Sequence, residues 1–475
     1  MQNNSKKKQL VKAGIGYTVG NYLLKGLAFF SIPIFSRLMT TSDYGMFNTF
    51  SAYEAIIFVV IGLALHSSFK NAKYKYSDDF DSFVSTCITV AIISFIVWLL
   101  FSNVFYFAYG DLIGFSRPIV NMLIICSMGS ALVQYYNVYS SIDYRYDRFI
   151  RISAFNAISS IILSVILIKC IFKEEAYVGR IIGTTIPLLF LSIYIVSYFA
   201  RKEELNLHRA YVKFAVNFSF PIIPHGISQV ILSQFDRIMI RSIIGEAEAG
   251  LYSFSYNIYT IIQVTSTALD NVWSTWFFEA ANNKEYEKIK RISSDYILGM
   301  LAFSSFILLI SPELIIMLSP KSYWDSIPCV VPIVIGGFFS FLYTLPVQVE
   351  YYCEKTKLIS VGTTSAAIIN IGLNAVFIPV YGYIAAAYTT LITYFLYFIF
   401  HYIIAKRFAN RNFFNNRILL LSIIVIITIG AGCLEFVNYG IVRWIFAVMI
   451  LISVVFFAEQ KYRIISKLAN KIRNI

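Results

Sequence analysis

Charged side chains inside long apolar segments are the residues of this sequence that could do chemistry. Asp236 and Arg237, for example, lie within the otherwise apolar stretch "SQVILSQFDRIMIRSIIG". An ionised group at the centre of a membrane costs at least ~2.5 kcal/mol, so each such residue needs a partner or a function. The set contains four cations and three groups that could bind an ion or a proton: Lys25, Arg37, Arg237 and Arg241, with Glu54, Asp236 and His225.

The composition indicates the environment of these residues. The chain has 475 residues, of which 58% are hydrophobic and only 14% are charged, and its mean hydropathy is +0.68. A soluble protein of this length would need far more polar surface. Because one membrane crossing takes about 20 helical residues, the apolar runs predict an all-α polytopic membrane protein with about fourteen transmembrane helices.

The basic excess is explained by membrane orientation. The formal net charge is +13, which could suggest a nucleic-acid partner. However, 29 of the 39 Lys and Arg residues fall on one side when alternate loops are assigned to opposite sides, and nine fall on the other. Cytoplasmic loops carry such an excess, so both termini are predicted to be cytoplasmic. Nucleic acid is therefore not expected as a partner.

Two parts of the sequence repeat at almost the same offset. A shift of 205 residues places Gly45 on Gly250, and a shift of 206 places Tyr177 on Tyr383 with further matches around it. Such an offset predicts two parallel six-helix repeats, because an even number of helices returns the chain to the same side. The predicted organisation is an N-terminal lobe (1–205), a C-terminal lobe (206–407) and a two-helix appendage (408–475).

Two interpretations of the charged set remain open. Asp236 with Arg237, and Lys25 with Glu54, could be static ion pairs that hold helices together. Alternatively, the set contacts a substrate or a coupling ion. Its excess of cations suits an anionic head group, because Arg binds phosphate oxygens through paired donors. His225 could carry a proton or could simply be packed.

Three prolines in the same helices are expected to permit bending. Pro221 and Pro224 are predicted to break the helix that carries Asp236, and Pro33 to interrupt the first helix. Bending of this kind is what a transporter requires when access alternates between the two sides of the membrane.

Enzymatic and metal chemistry find little support in the sequence. The six cysteines form no CxxC pair and no Cys/His cluster, so no metal site is predicted. The acidic run "DDFD" (78–81) is interpreted as a solvated loop. All predicted loops are short, which leaves no room for a catalytic domain. The protein is therefore not expected to be an enzyme, and no cofactor is expected. A proton or sodium gradient is the expected driving force.

Three segments resemble polysaccharide flippases of the multidrug/oligosaccharidyl-lipid/polysaccharide exporter superfamily. They are "FSFPIIPHGISQVILSQFDRIMIRSIIGEAEAGLYSFSYNI" (218–258), "RLMTTSDYGMFNTF" (37–50) and "NIGLNAVFIPVYGYIAAAYTTLITY" (370–394). The resemblance covers residues 12–407, with Ala385 standing where the family usually has Gly. It implies a V-shaped pair of lobes around a cationic cavity. It further implies ion-coupled movement of undecaprenyl-pyrophosphate-linked O-antigen or capsule repeat units to the periplasmic leaflet of the bacterial inner membrane.

The expected partners follow from the same resemblance. They are the lipid-linked oligosaccharide, membrane lipids and polysaccharide polymerase machinery. Three other functions stay open at this stage: a multidrug or cation exporter of the same superfamily, a lipid-linked peptidoglycan-precursor flippase, and a membrane enzyme that polymerises or ligates glycans. The enzyme class usually has a large periplasmic loop, which this sequence lacks.

Overall fold

The computed structural model describes residues 2–409, 411 and 413–462, and all regular elements in this part of the chain are helical. The first half contains α1 (Gln2–Leu38), α2 (Thr41–Gly62), α3 (Phe69–Lys75), α4 (Phe80–Ile113), α5 (Arg117–Ile142), α6 (Tyr146–Cys170), α7 (Ala176–Ala200), α8 (Arg209–Ser219) and α9 (Ile222–Ile243). The second half contains α10 (Glu246–Asn282), α11 (Tyr286–Leu318), α12 (Ile327–Leu342), α13 (Thr344–Tyr352), α14 (Thr356–Tyr381), α15 (Tyr383–Phe408), α16 (Asn416–Glu435) and α17 (Gly440–Tyr462). Short 3-10 turns precede α3 and α12.

The helices have the length and hydropathy of membrane spans, which confirms the predicted all-α polytopic class. Within the described residues, eleven segments are long and apolar enough to cross a membrane. The number is twelve when the bent pair α8–α9 is taken as one span. The predicted number of about fourteen is reached only with α1 and α10. Each of these has 37 residues, more than the ~20 that one crossing needs.

Local sequence explains where several helices begin and end. Thr40 and Asp43 form a reciprocal capping box at the start of α2. Gly114 ends α4 with φ of +64°, and Gly382 separates α14 from α15 with φ of +73°, a conformation that glycine adopts without a steric penalty. Helices α14 and α15 are thus separate elements although one residue lies between them.

The prolines behave in two different ways. The helix that carries Asp236 is broken at Pro221, and its two parts, α8 and α9, are bent by 45°. This break was predicted. The predicted interruption at Pro33 was wrong, because α1 continues through it to Leu38. Ser36 Oγ and Arg37 Nη1 both donate to the Pro33 carbonyl.

The chain divides into two compact units, Met1–Gly250 and Leu251–Ile475. In the first unit, α2 packs against α5, α7 and α9, while α6 packs against α1 and α7. Its core is aromatic: Phe69, Phe83 and Tyr135 are fully enclosed. The repeat boundary near residue 206 concerns sequence duplication and stays a prediction.

In the second unit, α15 is the most extensively packed helix, with α12, α13 and α14 around it. The last two helices, α16 and α17, both pack against α11. The apolar residues of α12 are almost all buried, which explains why its run "CVVPIVIGGFF" is apolar on every side rather than on one stripe.

Candidate functional site

Asp236 and Arg237 are buried within the first unit. Asp236 has no exposed surface and Arg237 is 8% exposed. The Arg237 guanidinium donates to the Ser233 carbonyl at 3.0 Å and to the Gln234 side-chain oxygen at 2.5 Å, both in its own helix α9. These contacts hold the arginine against α9, and its predicted role in substrate binding stays a prediction.

Arg241 clamps the turn between α4 and α5. Its guanidinium donates to the carbonyl oxygens of Ile113, at 3.0 Å, and Gly114, at 2.5 Å. It lies 4.3 Å from the Phe115 ring centroid and 3.6 Å from the Glu246 carboxylate. The carbonyls at the C-terminal end of α4 lack partners within that helix, so a cation there is favourable. This geometry favours the structural interpretation for Arg241.

Glu54 projects from α2 towards α5. Its Oε1 atom is buried and has no hydrogen-bond partner among the described residues. Ser130 lies within hydrogen-bonding reach of the carboxylate, and the Ser127 hydroxyl donates to the Glu54 carbonyl at 3.4 Å. No ion pair of the described residues joins Glu54 to Lys25. The proposed static pair between them is therefore absent, and the carboxylate retains capacity for a proton or a cation.

The remaining predicted site residues lie on α1 and near the start of α9. Lys25 and Arg37 are exposed on α1. His225 is half-buried near the start of α9, and its Nδ1 atom has no hydrogen-bond partner in the part of the chain that the structure describes. The neighbouring Gly226 lies close to Val59 of α2. Helices α2 and α9 thus bring the His225 and Glu54 segments into one packed group.

The acidic residue in "TTSDYG" has a local role. The Asp43 carboxylate accepts hydrogen bonds from the Thr40 hydroxyl at 2.6 Å and from the Tyr177 backbone amide at 3.2 Å. Glu248, its predicted repeat mate, lies in the first turn of α10. Carboxylates at these positions favour helix initiation because they face the positive end of the helix dipole. The pattern shared by the two repeats marks a helix start.

Arg180 and His66 are also accounted for by packing. The Arg180 guanidinium lies 3.6 Å from the Phe35 ring centroid and 4.1 Å from that of Phe47, which joins α7 to α1 and α2. His66 lies between the rings of Phe58 and Tyr135. Burial lowers the pKa of His66 to about 4, so its imidazole is neutral at neutral pH.

In the second unit, two buried or partly buried ionisable pairs were not predicted from the sequence. Glu350 and His401 are both fully buried and in contact, and Glu313 pairs with Arg443, which is 4% exposed. Glu350 and His401 lie inside apolar runs, so the rule that singled out Glu54 could have found them. Arg443 was counted among the cations at loops and helix ends, and it lies in the first turn of α17.

A third polar group in this unit joins α14 to α15. Asn370 and Asn374 are fully buried on α14. Asn370 donates to the Thr390 hydroxyl at 3.3 Å, Asn374 donates to Asn370, and the Thr389 hydroxyl donates to Asn374. Side-chain hydrogen bonds of this kind hold membrane helices together. Among the described residues, no group of three or more His, Cys, Asp or Glu side chains could hold a metal ion.

The chain belongs to the polysaccharide biosynthesis protein family, whose model matches residues 10–273. It is 21% identical over 379 residues to an Lsg locus protein of Haemophilus influenzae, with 74% of this chain and 87% of that protein covered. It has the same identity, over the same length, to an uncharacterized membrane protein of that species, with 76% and 89% covered.

Solved structures establish the fold. The lipid II flippase MurJ, in an inward closed conformation, superposes with a TM-score of 0.71 at 15% identity, covering 94% of this chain and 99% of MurJ. An inward-facing multidrug resistance MATE transporter gives 0.61 at 15% identity, with 81% and 93% covered. A Pyrococcus furiosus transporter with a binding pocket described as reversed in polarity gives 0.58 at 13%, with 84% and 95% covered. The family match confirms the predicted relation to polysaccharide biosynthesis proteins, and the solved structures confirm the predicted all-helical transporter fold.

Proposed function

We propose that this protein is a flippase that moves undecaprenyl-pyrophosphate-linked oligosaccharide from the cytoplasmic to the periplasmic leaflet of a bacterial inner membrane. Family membership supports a role in polysaccharide biosynthesis, and the MurJ-like fold supports transport of a lipid-linked substrate. In this proposal both termini are cytoplasmic, an O-antigen or lipopolysaccharide repeat unit is the cargo, and polysaccharide polymerase machinery takes up the product.

The observation that carries the proposal is the exposed ammonium group of Lys25. Thirteen residues separate Lys25 from Leu38, the end of α1, which corresponds to ~20 Å along a helix. A lysine at such depth is costly against lipid, so the surface that it faces must offer water or an anion. With Arg37 exposed on the same helix, α1 presents two cations to a passing pyrophosphate.

Glu54, Asp236 and His225 are the ion-coupling candidates of the first unit within this proposal. Glu54 is the best supported of them, because one of its oxygens is buried without a hydrogen-bond partner among the described residues. A proton or a sodium ion would supply the missing partner, and its gradient would drive the cycle.

Reconstitution tests the proposal directly. The full-length protein is placed in liposomes that contain undecaprenyl-pyrophosphate oligosaccharide, and an impermeant lectin reports the sugar that reaches the opposite face. We expect protein-dependent exposure that increases when a proton or sodium gradient is imposed. Protein-free liposomes are the control. Absence of exposure, together with uptake of a cationic dye, would overturn the proposal in favour of drug export.

A lipid-linked peptidoglycan-precursor flippase is the second candidate. Its support is the extent of the structural likeness. The superposition with MurJ covers 94% of this chain and 99% of MurJ, whereas the superposition with the MATE transporter covers 81% of this chain. The same liposomes loaded with lipid II separate the two candidates. Faster exposure of lipid II than of the oligosaccharide would favour this second function.

A further inference from the structure

Two buried side chains of the second unit form a pair that the transport proposal does not yet use. Glu350 lies on α13 and His401 on α15, 51 positions apart, and neither has any exposed surface. The Glu350 Oε1 atom lies 2.6 Å from the His401 Nδ1 atom, a distance typical of a strong, charge-assisted hydrogen bond.

Each partner also has a second polar atom that is buried and unused. Among the described residues, neither Glu350 Oε2 nor His401 Nε2 has a hydrogen-bond partner. Buried polar atoms in folded proteins are almost always satisfied, and partly satisfied networks are costly. A pair whose only purpose was to fasten α13 to α15 would be expected to have both ends satisfied.

The walls of the site are aromatic. The ring centroids of Tyr397, Phe400 and Tyr343 lie 4.5, 5.2 and 6.0 Å from that of His401. The backbone of α14 closes the remaining side, because a Cβ atom on Gly362 would come within 3.0 Å of His401 Nε2. This enclosure excludes bulk water from the pair.

The other titratable groups around the pair include one carboxylate, that of Asp270, which acts electrostatically on Tyr343 and Tyr351. The second unit's other titratable groups here are Asp270 of α10, Tyr343 between α12 and α13, Tyr351 of α13, Cys353 and Lys355 after α13, and Tyr397 of α15. From α14, the nearest residues are Gly362 and Thr363, which do not titrate. Asp270 accepts a hydrogen bond from Gln348 at 3.2 Å. In the described part of the chain, His401 is the ion-pair partner of Glu350.

Charge balance ties this pair to one proton. With one proton the pair is neutral, either as carboxylate and imidazolium or as carboxylic acid and imidazole. Loss of the proton would leave an uncompensated carboxylate in a site closed to water, which is strongly unfavourable. Exchange of this proton with water therefore requires a movement that admits water to Oε2 and Nε2.

We propose that Glu350 and His401 form a proton-binding site that couples transport by this protein to a proton gradient. The inference rests on the proposed function, because it specifies the driving ion of that transport. A site that binds a proton with different affinity in two conformations makes the proton favour one of them, which is the physical requirement for coupling.

The position of the pair gives the proton a short route to water. Glu350 lies two residues before the end of α13 and His401 seven residues before the end of α15. At 1.5 Å per residue these positions are ~3 and ~10 Å from the helix ends. Lys355 follows α13, and Lys406 and Arg407 lie in the last turn of α15, which marks the predicted cytoplasmic side. Helix α13 has only nine residues, so a small displacement would open the site.

The test compares the full-length protein with Glu350→Gln in the oligosaccharide liposomes. For one proton per cycle, a gradient of one pH unit shifts the final ratio of substrate between the leaflets by about tenfold. We expect this shift in the unmodified protein. In Glu350→Gln we expect a ratio near one, with downhill flipping retained, because Gln can keep a hydrogen bond to His401 but cannot exchange a proton.

Two further variants keep the test decisive. Should Glu350→Gln fail to fold, His401→Gln is expected to lose the same tenfold response. Glu313→Gln is the matched control: it removes an acid of the same unit that is paired with Arg443, and we expect it to keep the response. A tenfold shift that survives in Glu350→Gln or His401→Gln would overturn the inference and leave a static hydrogen bond.

The inference and the proposed function can fail separately. Flipping by the unmodified protein that ignores the pH gradient would overturn the inference and leave the flippase intact. Without any flipping, the proposed function fails, and infrared difference spectra of the purified protein still test the pair. We expect a carboxyl band that changes with pH and is absent in Glu350→Gln. Identical spectra of the two proteins would overturn the proton site.

Discussion

Gly45 of α2 and Gly250 of α10 lie against each other's helices in a reciprocal contact. A Cβ atom on Gly45 would overlap the Glu246 carbonyl oxygen, and one on Gly250 would overlap the carbonyl oxygen of Thr41. The offset of 205 residues relates Gly45 to Gly250 and also Thr41 to Glu246. The contact is therefore symmetric under the repeat, and the two helix starts approach as closely as backbones allow.

Adding one methyl group at this contact should separate the two helices. We expect Gly45→Ala and Gly250→Ala each to destabilise the protein by ~1–3 kcal/mol, the usual cost of overpacking. The midpoint of thermal unfolding in detergent measures the effect. Gly299→Ala in α11 is the control, because no atom of the described residues lies within 4 Å of its added Cβ. Equal midpoints for all three variants would show that the helix starts separate easily.

Helix α17 is fastened to α11 by ion pairs near both of its ends. Arg443 uses all five donors, with Glu313 accepting two hydrogen bonds at 2.6 and 2.9 Å, and Lys461 lies 2.5 Å from Asp295. Eighteen residues separate the two sites on each helix, or ~27 Å. The two helices are thus antiparallel and joined at both ends of a membrane-length segment.

Removal of the ion pair between Arg443 and Glu313 should weaken the packing of α17 against α11. We expect Arg443→Met to cost about 3 kcal/mol, because a partly buried carboxylate is left without its partner. Loss of thermal stability and faster proteolysis after α15 would measure it. The control is Lys461→Met, which should cost less, because the Lys461 side chain is 32% exposed, whereas that of Arg443 is 4% exposed and donates five hydrogen bonds. If Arg443→Met and Glu313→Gln together are no more stable than Arg443→Met alone, the unpaired charge is not the cause.

Arg237 and Arg241 should respond differently to truncation, although they are one turn apart. Arg241→Ala leaves the carbonyls of Ile113 and Gly114 without their donor, so we expect reduced abundance in the membrane. Arg237→Ala should leave abundance unchanged and impair flipping at least tenfold. Quantitative immunoblots and the lectin assay provide the two readouts. Loss of abundance in Arg237→Ala would instead assign this arginine to a static structural role.

Neutralisation of Lys25 should weaken substrate binding without affecting folding. The exposed ammonium makes no ion pair among the described residues, so Lys25→Gln removes charge but little packing. We expect the concentration of oligosaccharide that gives half-maximal flipping to rise about tenfold, which corresponds to one lost charge-assisted contact. Lys173→Gln changes the same charge in the exposed turn between α6 and α7 and is the control. Equal effects of both variants would indicate a non-specific electrostatic contribution.

Patterns of local sequence predicted the fold well. Continuous apolar runs of membrane length predicted the helical spans, and Pro221 predicted the break between α8 and α9. The predicted interruption at Pro33 was wrong: an interior proline removes one helical hydrogen bond, here the one to the Phe29 carbonyl, and α1 continues to Leu38. The same residue type thus has different outcomes in α1 and at Pro221, and the proline alone does not predict which.

The sequence predicted which types of residue form the candidate site, but not the contacts that these residues make. Sequence could identify Arg241 as a cation near an apolar segment, but not that it caps the end of α4, which is 128 positions away from it. The same holds for Arg443, whose acid lies 130 positions earlier. Arg241 and Arg443 both lie near the ends of apolar segments. Only the contacts of each arginine distinguish a structural role from a role in ligand binding.

Hydropathy, helix capping and charge asymmetry depend on neighbouring residues, so the sequence by itself determined the membrane character, the helices and the set of costly charges. The partner of each charge depends on which helices pack together. Only the tertiary structure therefore decided that Arg241 holds a turn, that one Glu54 oxygen has no hydrogen-bond partner among the described residues, and that Glu350 contacts His401. In a water-free interior that partner decides whether a charge is fixed or can exchange a proton, because no solvent is present to replace it.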